Sequence, residues 1–427
     1  MEIITKNNIK KYSTYKNSGV EWLGEIPEHW EVIKLKYLSE IKTGYTPITS
    51  DSSNFSKNGT IWAKPDNLND FNLIKNSKEK VSSKGIKSQN IIPKNSILVC
   101  CIGTIGKFGI AGVDLITNQQ INSIIFNTKI SNKYGKYLIA NCKSEFNKWA
   151  NGNVVSILNT SAQKNIYFLL PPLSEQTKIA EFLDDKTEKI DEAIAIKTQQ
   201  INLLKERKQI LIHKAVTRGL DTNVKLKNSG VQWIGEIPVG WEVKRLKFTS
   251  KLISEKIYSK ESQLDYIGME NIESWTGKFI STNSETDGLA SSFKKGDVLF
   301  GKLRPYLAKV YLAEKNGICS TEFLVYRTDK IIFNWYLNLI MLSFEFIKLI
   351  DSSTYGSKMP RANSDFIGNQ LIPIPPLSEQ KEISSYIEKS SEKIATAIGL
   401  KSEEIEKLKE YKSSLINSVV TGKVRVC

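Results

Sequence analysis

Apolar residues recur by fours and threes along two stretches of the chain. Leu183, Ile190, Ile194, Ile201, Leu204 and Leu211 form one stripe, and Ile387, Ile394, Ile398, Ile405, Leu408 and Leu415 form another, with Ala215 and Val419 extending them. This spacing predicts two long helices with coiled-coil seams. Each follows PPLSEQ, where Ser174 and Ser378 are the expected N-caps, Glu175 and Glu379 face the positive end of the helix dipole, and the prolines block an earlier start. Lys197 and Lys208 interrupt one stripe, and Lys401 and Lys412 interrupt the other at matched places. Such lysines either restrict register from within the seam or snorkel from its edge. Two helices in one chain can pair with each other, and the rise from Ser174 to Val216 amounts to about 65 Å. That length is suited to a ruler.

The matching extends beyond the stripes. Lys16–Lys36 and Lys227–Lys247 share fifteen of twenty-one residues, and LLPPLSEQTKIAEFL from Leu169 returns as PIPPLSEQKEISSYI from Pro373. The order is an entrance, a variable stretch, PPLSEQ and a helix, written twice with a period far longer than that of solenoid repeats. If the C-terminal helix ran on into the N-terminus the repeat would be circular, with the entrance acting as a joint. Trp22, Trp30, Trp233 and Trp241 are then expected as core anchors at those joints rather than as base-stacking residues.

The two variable stretches differ in sequence but keep one outline. Each has a short apolar strand after a turn signal (ILVCCIGTIGKFGIAG from Ile97, VLFGKLRPYLAKVYLAE from Val298) and a second strand (INSIIF from Ile121, EFLVYR from Glu322). A helix and a Gly-containing polar loop follow, NGNVVSILNTSAQKN in one and YGSKMPRANSD in the other. This outline predicts an α+β module of about 150 residues. Residues Ile331–Ile350 have the length of a membrane span, but Asn334, Asn338, Glu345 and Lys348 argue for a buried helix instead.

Charge and composition narrow the function. Lys plus Arg number 60 against 45 Asp plus Glu, and the resulting +15 favours a polyanion, although a general richness in Asn, Ile and Lys also raises the lysine count. Cys100, Cys101, Cys142, Cys319 and Cys427 form no CxxC pair, and His29 and His213 are the only histidines, which argues against a zinc site or a disulfide framework. The polar start MEIITKNNIKKYSTYK lacks a secretory core, and a reducing, intracellular location is expected.

Catalytic motifs are missing. GTIGKFG from Gly103 fails as a phosphate loop because Cys101 and Phe108 stand where Walker A needs Gly and Ser or Thr. There is no HExxH, no GxSxG and no asparagine-proline-proline-aromatic motif of an adenine methyltransferase, since the PP pairs follow Leu170 and Ile374. No catalytic or metal-ligating residue is therefore proposed. Residues suited to reading DNA edges do occur in the variable stretches. Asn118, Gln119 and Gln120 carry amides that suit adenine, and Lys302 and Arg304 suit guanine or phosphate, Arg304 being followed by Pro305 and Tyr306. Lys42, Tyr45 and Thr46 in an early loop, Lys107, and Lys358 and Arg361 in a late loop complete the candidates.

GVEWLGEIPEHWEV opening a module, PPLSEQ before a heptad helix, and the pair YIGMENIESWTGKF and GDVLFGKLRPYLAKVYLAE together resemble the specificity subunit of Type I restriction-modification enzymes. The likeness covers essentially the whole chain, twice. It implies an α+β fold of two target recognition domains in pseudo-twofold, circular repeat, joined by two long antiparallel coiled-coil helices. It implies double-stranded DNA as ligand, with each domain reading half of a split, asymmetric site. It also implies two modification subunits that bring S-adenosylmethionine, and restriction subunits that bring ATP, Mg and translocation, with no cofactor in this chain and no membrane. The corresponding domain boundaries are 1–172, 173–220, 221–376 and 377–427. Two alternatives are a fused restriction-methyltransferase polypeptide with its own catalytic site and a coiled-coil adaptor that reads no sequence.

Overall fold

The computed structural model describes residues 10–86, 91–152, 155–282, 287–354 and 358–426. The first nine residues, Cys427 and parts of both late loops (Asn153–Val154 and Tyr355–Ser357) lie outside the described residues. The helices are α1 (Asn132–Asn141), α2 (Lys143–Lys148), α3 (Thr160–Lys164), α4 (Leu173–Arg218), α5 (Asn334–Leu342), α6 (Phe344–Ser352), α7 (Ser364–Asn369) and α8 (Leu377–Val420). The chain divides into two compact units, Met1–Ile196 with Glu404–Cys427, and Lys197–Glu403. Both long helices cross from one unit into the other.

The first unit is built on a five-stranded sheet, in the order Ser39–Thr43, Ile121–Phe126, Ile97–Cys100, Phe108–Ala111 and Leu73–Ile74. A three-stranded sheet places Phe55–Ala63 between Ile116–Thr117 and Lys80–Val81. The second unit has two four-stranded sheets, one ordered Ser250–Ile253, Phe323–Thr328, Val298–Gly301, Val310–Leu312, the other Lys256–Tyr258, Leu289–Phe293, Gly317–Ser320, Tyr266–Ile267. In each unit the strand before PPLSEQ pairs antiparallel with the last strand of the entrance, Tyr167–Leu170 with Glu31–Lys34 and Leu371–Ile374 with Glu242–Arg245.

Local chemistry corrects three expectations. The apolar stretches at Ile97 and Val298 are each a hairpin rather than one strand, because the turns GTIG and LRPYLA fold the stretch back on itself. Residues Ile331–Ile350 form two helices, not one. The break is at Ser343, which is extended and fully buried and donates its hydroxyl to the Ile340 carbonyl at 2.7 Å, competing with the helical bond. Among the described residues no helix is long and apolar enough to cross a membrane. The long helices also start one residue before the expected caps. Pro172 and Pro376 accept the first helical bonds, from the N–H of Gln176 and Gln380 at 3.0 Å, so the proline carbonyl acts as the cap and the serine lies inside the first turn.

The first turns explain why PPLSEQ and the entrance occur together. Glu175 accepts the indole N–H of Trp30 at 3.1 Å, and Glu379 accepts that of Trp241 at 2.9 Å. Both tryptophans are almost fully buried. Gln176, with no exposed surface, receives the Ser131 N–H at 2.9 Å and donates to the carbonyls of Lys129 and Pro171; Gln380 does the same with Phe333, Ile331 and Pro375. The helix starts are thus bonded to the module bodies by charged and buried polar groups.

The same tryptophans meet the helix ends. Gly219, just after α4, has φ +75°, and a Cβ there would lie 2.8 Å from a Glu379 oxygen and 3.2 Å from Trp241. Gly422, just after α8, has φ +72°, and a Cβ would collide with the Pro27 ring and lie 3.2 Å from Trp30. Left-handed backbone and close approach both require glycine. In the first unit the chain termini close the joint: Tyr15 donates its hydroxyl to the Gly422 carbonyl at 3.1 Å and Arg425 N–H reaches the Lys10 carbonyl at 2.8 Å. In the second unit the backbone runs through continuously. The repeat is circular.

Each unit's core takes the start of one long helix and the end of the other. Leu183 and Ile190 of α4 pack with Leu415, Ile416 and Val419 of α8 in the first, and Ile212 and Val216 of α4 pack with Ile383 and Ile387 of α8 in the second. All twelve stripe residues are buried or half-buried, whereas Ile196, Leu203, Ile210 and Leu400 on the same helices are exposed. Lys412 bridges the helices, meeting both Asp191 oxygens at 2.7–2.8 Å with its ammonium 5.1 Å from the Phe71 ring centre. At the matched place in the second unit Lys208 is half-buried, Ala395 stands where Asp191 would, and burial, then Lys278, push its ammonium down.

Burial pushes the Glu175 carboxyl up, but the bonds from His29, Trp30 and Tyr12 more than offset this and hold it below the ordinary carboxylate range. A carboxylate with a depressed folded-state pKa adds stability at neutral pH that is lost as pH falls through that value. Glu175→Ala is expected to cost about 2 kcal/mol at neutral pH. The gap from wild type should shrink below the ordinary carboxylate range, as urea denaturation at a series of pH values would measure.

Candidate nucleic-acid interface

Three loops converge in each unit through backbone hydrogen bonds that repeat almost atom for atom. In the first, the hairpin residue Cys101 donates its N–H to the Gln120 carbonyl at 2.8 Å and accepts from the Leu158 N–H at 2.9 Å, while Ile102 bridges to Ile157. In the second, Lys302 donates to the Glu322 carbonyl at 2.9 Å and accepts from the Ala362 N–H at 2.9 Å, while Leu303 bridges to Arg361. The late loop is anchored on its far side by an asparagine cap. Asn159 accepts the Ala162 N–H at 2.7 Å at the start of α3, and Asn363 accepts those of Asp365 and Phe366 at 2.7 and 3.1 Å at the start of α7. The stations are thus matched while their side chains differ: Gln120 stands for Glu322, Ile157 for Arg361, Gly103 for Arg304.

A second repeated contact fixes the hairpins from below. Lys107 donates to the Pro65 carbonyl at 2.9 Å, and Lys309 donates to the Met269 carbonyl at 2.6 Å. Each carbonyl opens a short 3-10 turn, Pro65–Asn67 or Met269–Asn271. Each turn is closed by an asparagine, Asn67 accepting from Lys64 N–H at 2.9 Å and Asn271 from Gly268 N–H at 2.7 Å. Burial pushes the Lys309 ammonium down, with Glu270 opposing. Lys309, Glu322 and the two cap asparagines are not legible from either stretch alone. Aligning the two stretches on the lysine after each hairpin turn exposes the pairing.

The sequence candidates separate into frame and rim. Asn118 is buried; its amide donates to Gln120 Oε1 at 3.0 Å and its Oδ1 accepts the Gln120 N–H at 3.2 Å, so it shapes the turn. Tyr45 is held by its hydroxyl on the Gly85 carbonyl at 2.7 Å, and Lys42 lies 3.7 Å from Glu40. Thr46 and Gln119 bond to each other and are both exposed, with Gln120 half-exposed beside them. The rim of the first unit therefore carries amides and a hydroxyl. That of the second carries cations: Arg304, Lys358 and Arg361 are exposed, Lys302 is half-exposed, and the Tyr306 ring is 46% exposed. Arg361 is gripped by Glu322 through Nε and Nη2 at 3.1–3.2 Å, a fork that keeps its guanidinium firmly protonated and fixed in direction.

Comparison with known proteins agrees with this doubled plan. The family model for the Type I restriction modification DNA specificity domain matches residues 27–206 and again 238–407. The chain belongs to that family. It is a specificity subunit with two recognition domains, and its role in a Type I restriction-modification system is DNA recognition rather than catalysis. It is 25% identical to the Type I restriction enzyme MjaVIII specificity subunit of Methanocaldococcus jannaschii, over 94% of each chain. It is 26% identical to the MjaIX specificity subunit of the same organism, over 95% of each. A solved chain from a study of complex assembly and conformational transition of the Type I R-M system shares the fold, with a TM-score of 0.67 at 15% identity, over 92% of this chain and 98% of that one. This membership sets aside a fused restriction-methyltransferase polypeptide with its own catalytic site and a coiled-coil adaptor that reads no sequence.

With its ammonium committed to the Pro65 carbonyl, Lys107 is expected to make no phosphate contact in this specificity subunit. Lys107→Met should leave the slope of log binding constant against log salt unchanged, where loss of one phosphate contact would reduce it by about 0.9. It should also lower stability by about 1 kcal/mol. Salt titration of DNA binding and thermal denaturation measure the two effects.

Proposed function

We propose that this specificity subunit recognises a bipartite, asymmetric DNA target, each recognition domain reading one half-site, and that it scaffolds modification and restriction subunits for adenine methylation or cleavage. The observation that carries the reading is the three-loop frame built twice with different side chains at matched stations. Backbone bonds hold the loops in one arrangement, while amides and a hydroxyl rim one copy and cations the other, as expected of two readers with different targets. The net charge of +15 suits a polyanionic ligand.

On this reading the chain binds no cofactor of its own. S-adenosylmethionine belongs to two modification subunits, and ATP with Mg to the restriction subunits, in the cytoplasm of a prokaryotic cell and close to its nucleoid. The frame, with the bases it faces, sets the two half-sites. The helices, being repeated, set the gap between them.

Exchange of Thr43–Leu169 for the corresponding segment of another specificity subunit is expected to change one half of the methylated target and leave the other intact. Single-molecule methyladenine mapping in a host carrying the chain and its modification partner checks this, and a change in both halves counts against the reading. Insertion of four residues, about one helical turn, between Lys197 and Leu204 is expected to alter the tolerated gap with both half-sites unchanged. The same mapping checks it.

A further inference from the structure

We infer that Arg304 reads a guanine in the half-site of the second recognition domain, and that the left-handed backbone beneath it is retained for that purpose. The inference rests on the reading above, in which the three-loop frame faces DNA. The duplicated frame supplies its own control. Gly103 and Arg304 stand at the same station, two residues beyond Cys101 and Lys302, whose backbone groups tie the hairpin to the other loops. Both have positive φ, +80° and +51°. Glycine adopts that region freely, and an L side chain is strained there. A Cβ built on Gly103 meets nothing within 4 Å, so the station is open to a side chain and resists one only through backbone conformation. The second domain carries an arginine where the first keeps the unstrained residue. Strain of this kind persists where the surroundings impose it and collects at functional sites.

The surroundings do impose it. Arg304 N–H donates to the Pro360 carbonyl at 2.8 Å, its own carbonyl accepts the Leu307 N–H at 2.9 Å, and the next residue, Pro305, is buried. The side chain therefore rises from a fixed base. Among the described residues its guanidinium makes one hydrogen bond, a long one of 3.4 Å from Nη2 to the Lys358 carbonyl. The neighbouring cations differ in kind. Arg361 is turned onto Glu322 through Nε and Nη2, and Lys302 and Lys358 are point charges suited to phosphate. Among the described residues Arg304 is the exposed guanidinium of this rim that no carboxylate holds, and a planar pair of its donors remains open to an outside acceptor. The base edge that matches such a pair is guanine O6 with N7.

The test compares wild type, Arg304→Gly and Arg304→Asn as full chains co-expressed with the modification subunit, by genome-wide methyladenine mapping and by thermal denaturation. Arg304→Gly restores the residue that the first domain uses, so its melting temperature should equal or exceed wild type. One G·C position in one half-site should become degenerate, with at least a tenfold loss of preference, the other half-site being unchanged. Arg304→Asn, which tolerates left-handed backbone, should lose the same preference and serves if the glycine variant folds poorly. A wild-type target that survives both substitutions unchanged overturns the assignment while leaving the two-half-site reading standing. Uniformly weaker methylation with the same consensus marks a phosphate contact and likewise overturns it. Absence of any split consensus in wild type removes the underlying reading and this assignment with it.

Discussion

An indole N–H bonded to a carboxylate in the first turn of a long helix is the constraint on which this molecule rests, and it is made twice. Trp30 with Glu175 and Trp241 with Glu379 bring a buried donor to an acceptor that the helix dipole already favours at that end. The same two rings receive the glycines that end the opposite helices, Gly422 at Trp30 and Gly219 at Trp241. A helix start and a helix end are thereby gathered at one point in each unit. The compact units consequently divide the long helices in mid-length, and the first unit is assembled from both ends of the chain. The entrance string is a joint, which is why it recurs.

Above the joint, constancy and variation are carried by different atoms. The three loops are held by backbone N–H and carbonyl groups at Cys101 and Lys302, and by asparagine caps at Asn159 and Asn363. Backbone bonds are indifferent to the side chain at the same residue, so glutamine can exchange with glutamate and isoleucine with arginine without moving the frame. The side chains that must stay are the few that bond to main chain, Lys107 and Lys309 among them. Side-chain variety and architecture are thus separated within a few residues of each other.

Net charge is a poor guide to which cations meet DNA. Lys412 is committed to Asp191, Lys136 to Asp184, Arg327 to the buried Asp297 through two bonds, and Arg361 to Glu322. Several lysines of the +15 excess are structural, bonded to carbonyls or packed beside aromatic rings such as Phe71. What distinguishes the rim of the second unit is geometry. Its guanidiniums stand on backbone that is clamped on both sides, and one of them stands on backbone that glycine would prefer.

Periodicity was enough to read the long helices, since burial on one stripe is set by helical spacing, and none of the twelve predicted seam residues is exposed. Repetition was enough to read the doubling and the circular order, because identical strings imply identical surroundings. The hairpins, the break at Ser343 and the proline caps were not legible, because turn residues and local hydrogen bonds compete at a scale below that of the pattern. The candidate site was half legible. Residue type marked Arg304 and Gln119, but only tertiary structure turned Lys107 and Asn118 inward and matched Gly103 with Arg304, because those relations depend on contacts between loops far apart in the chain. Sequence by itself determined that there are two modules and two bars; the fold decided which side chains are bonded into the frame and which stand exposed at its rim, because that depends on contacts between distant loops.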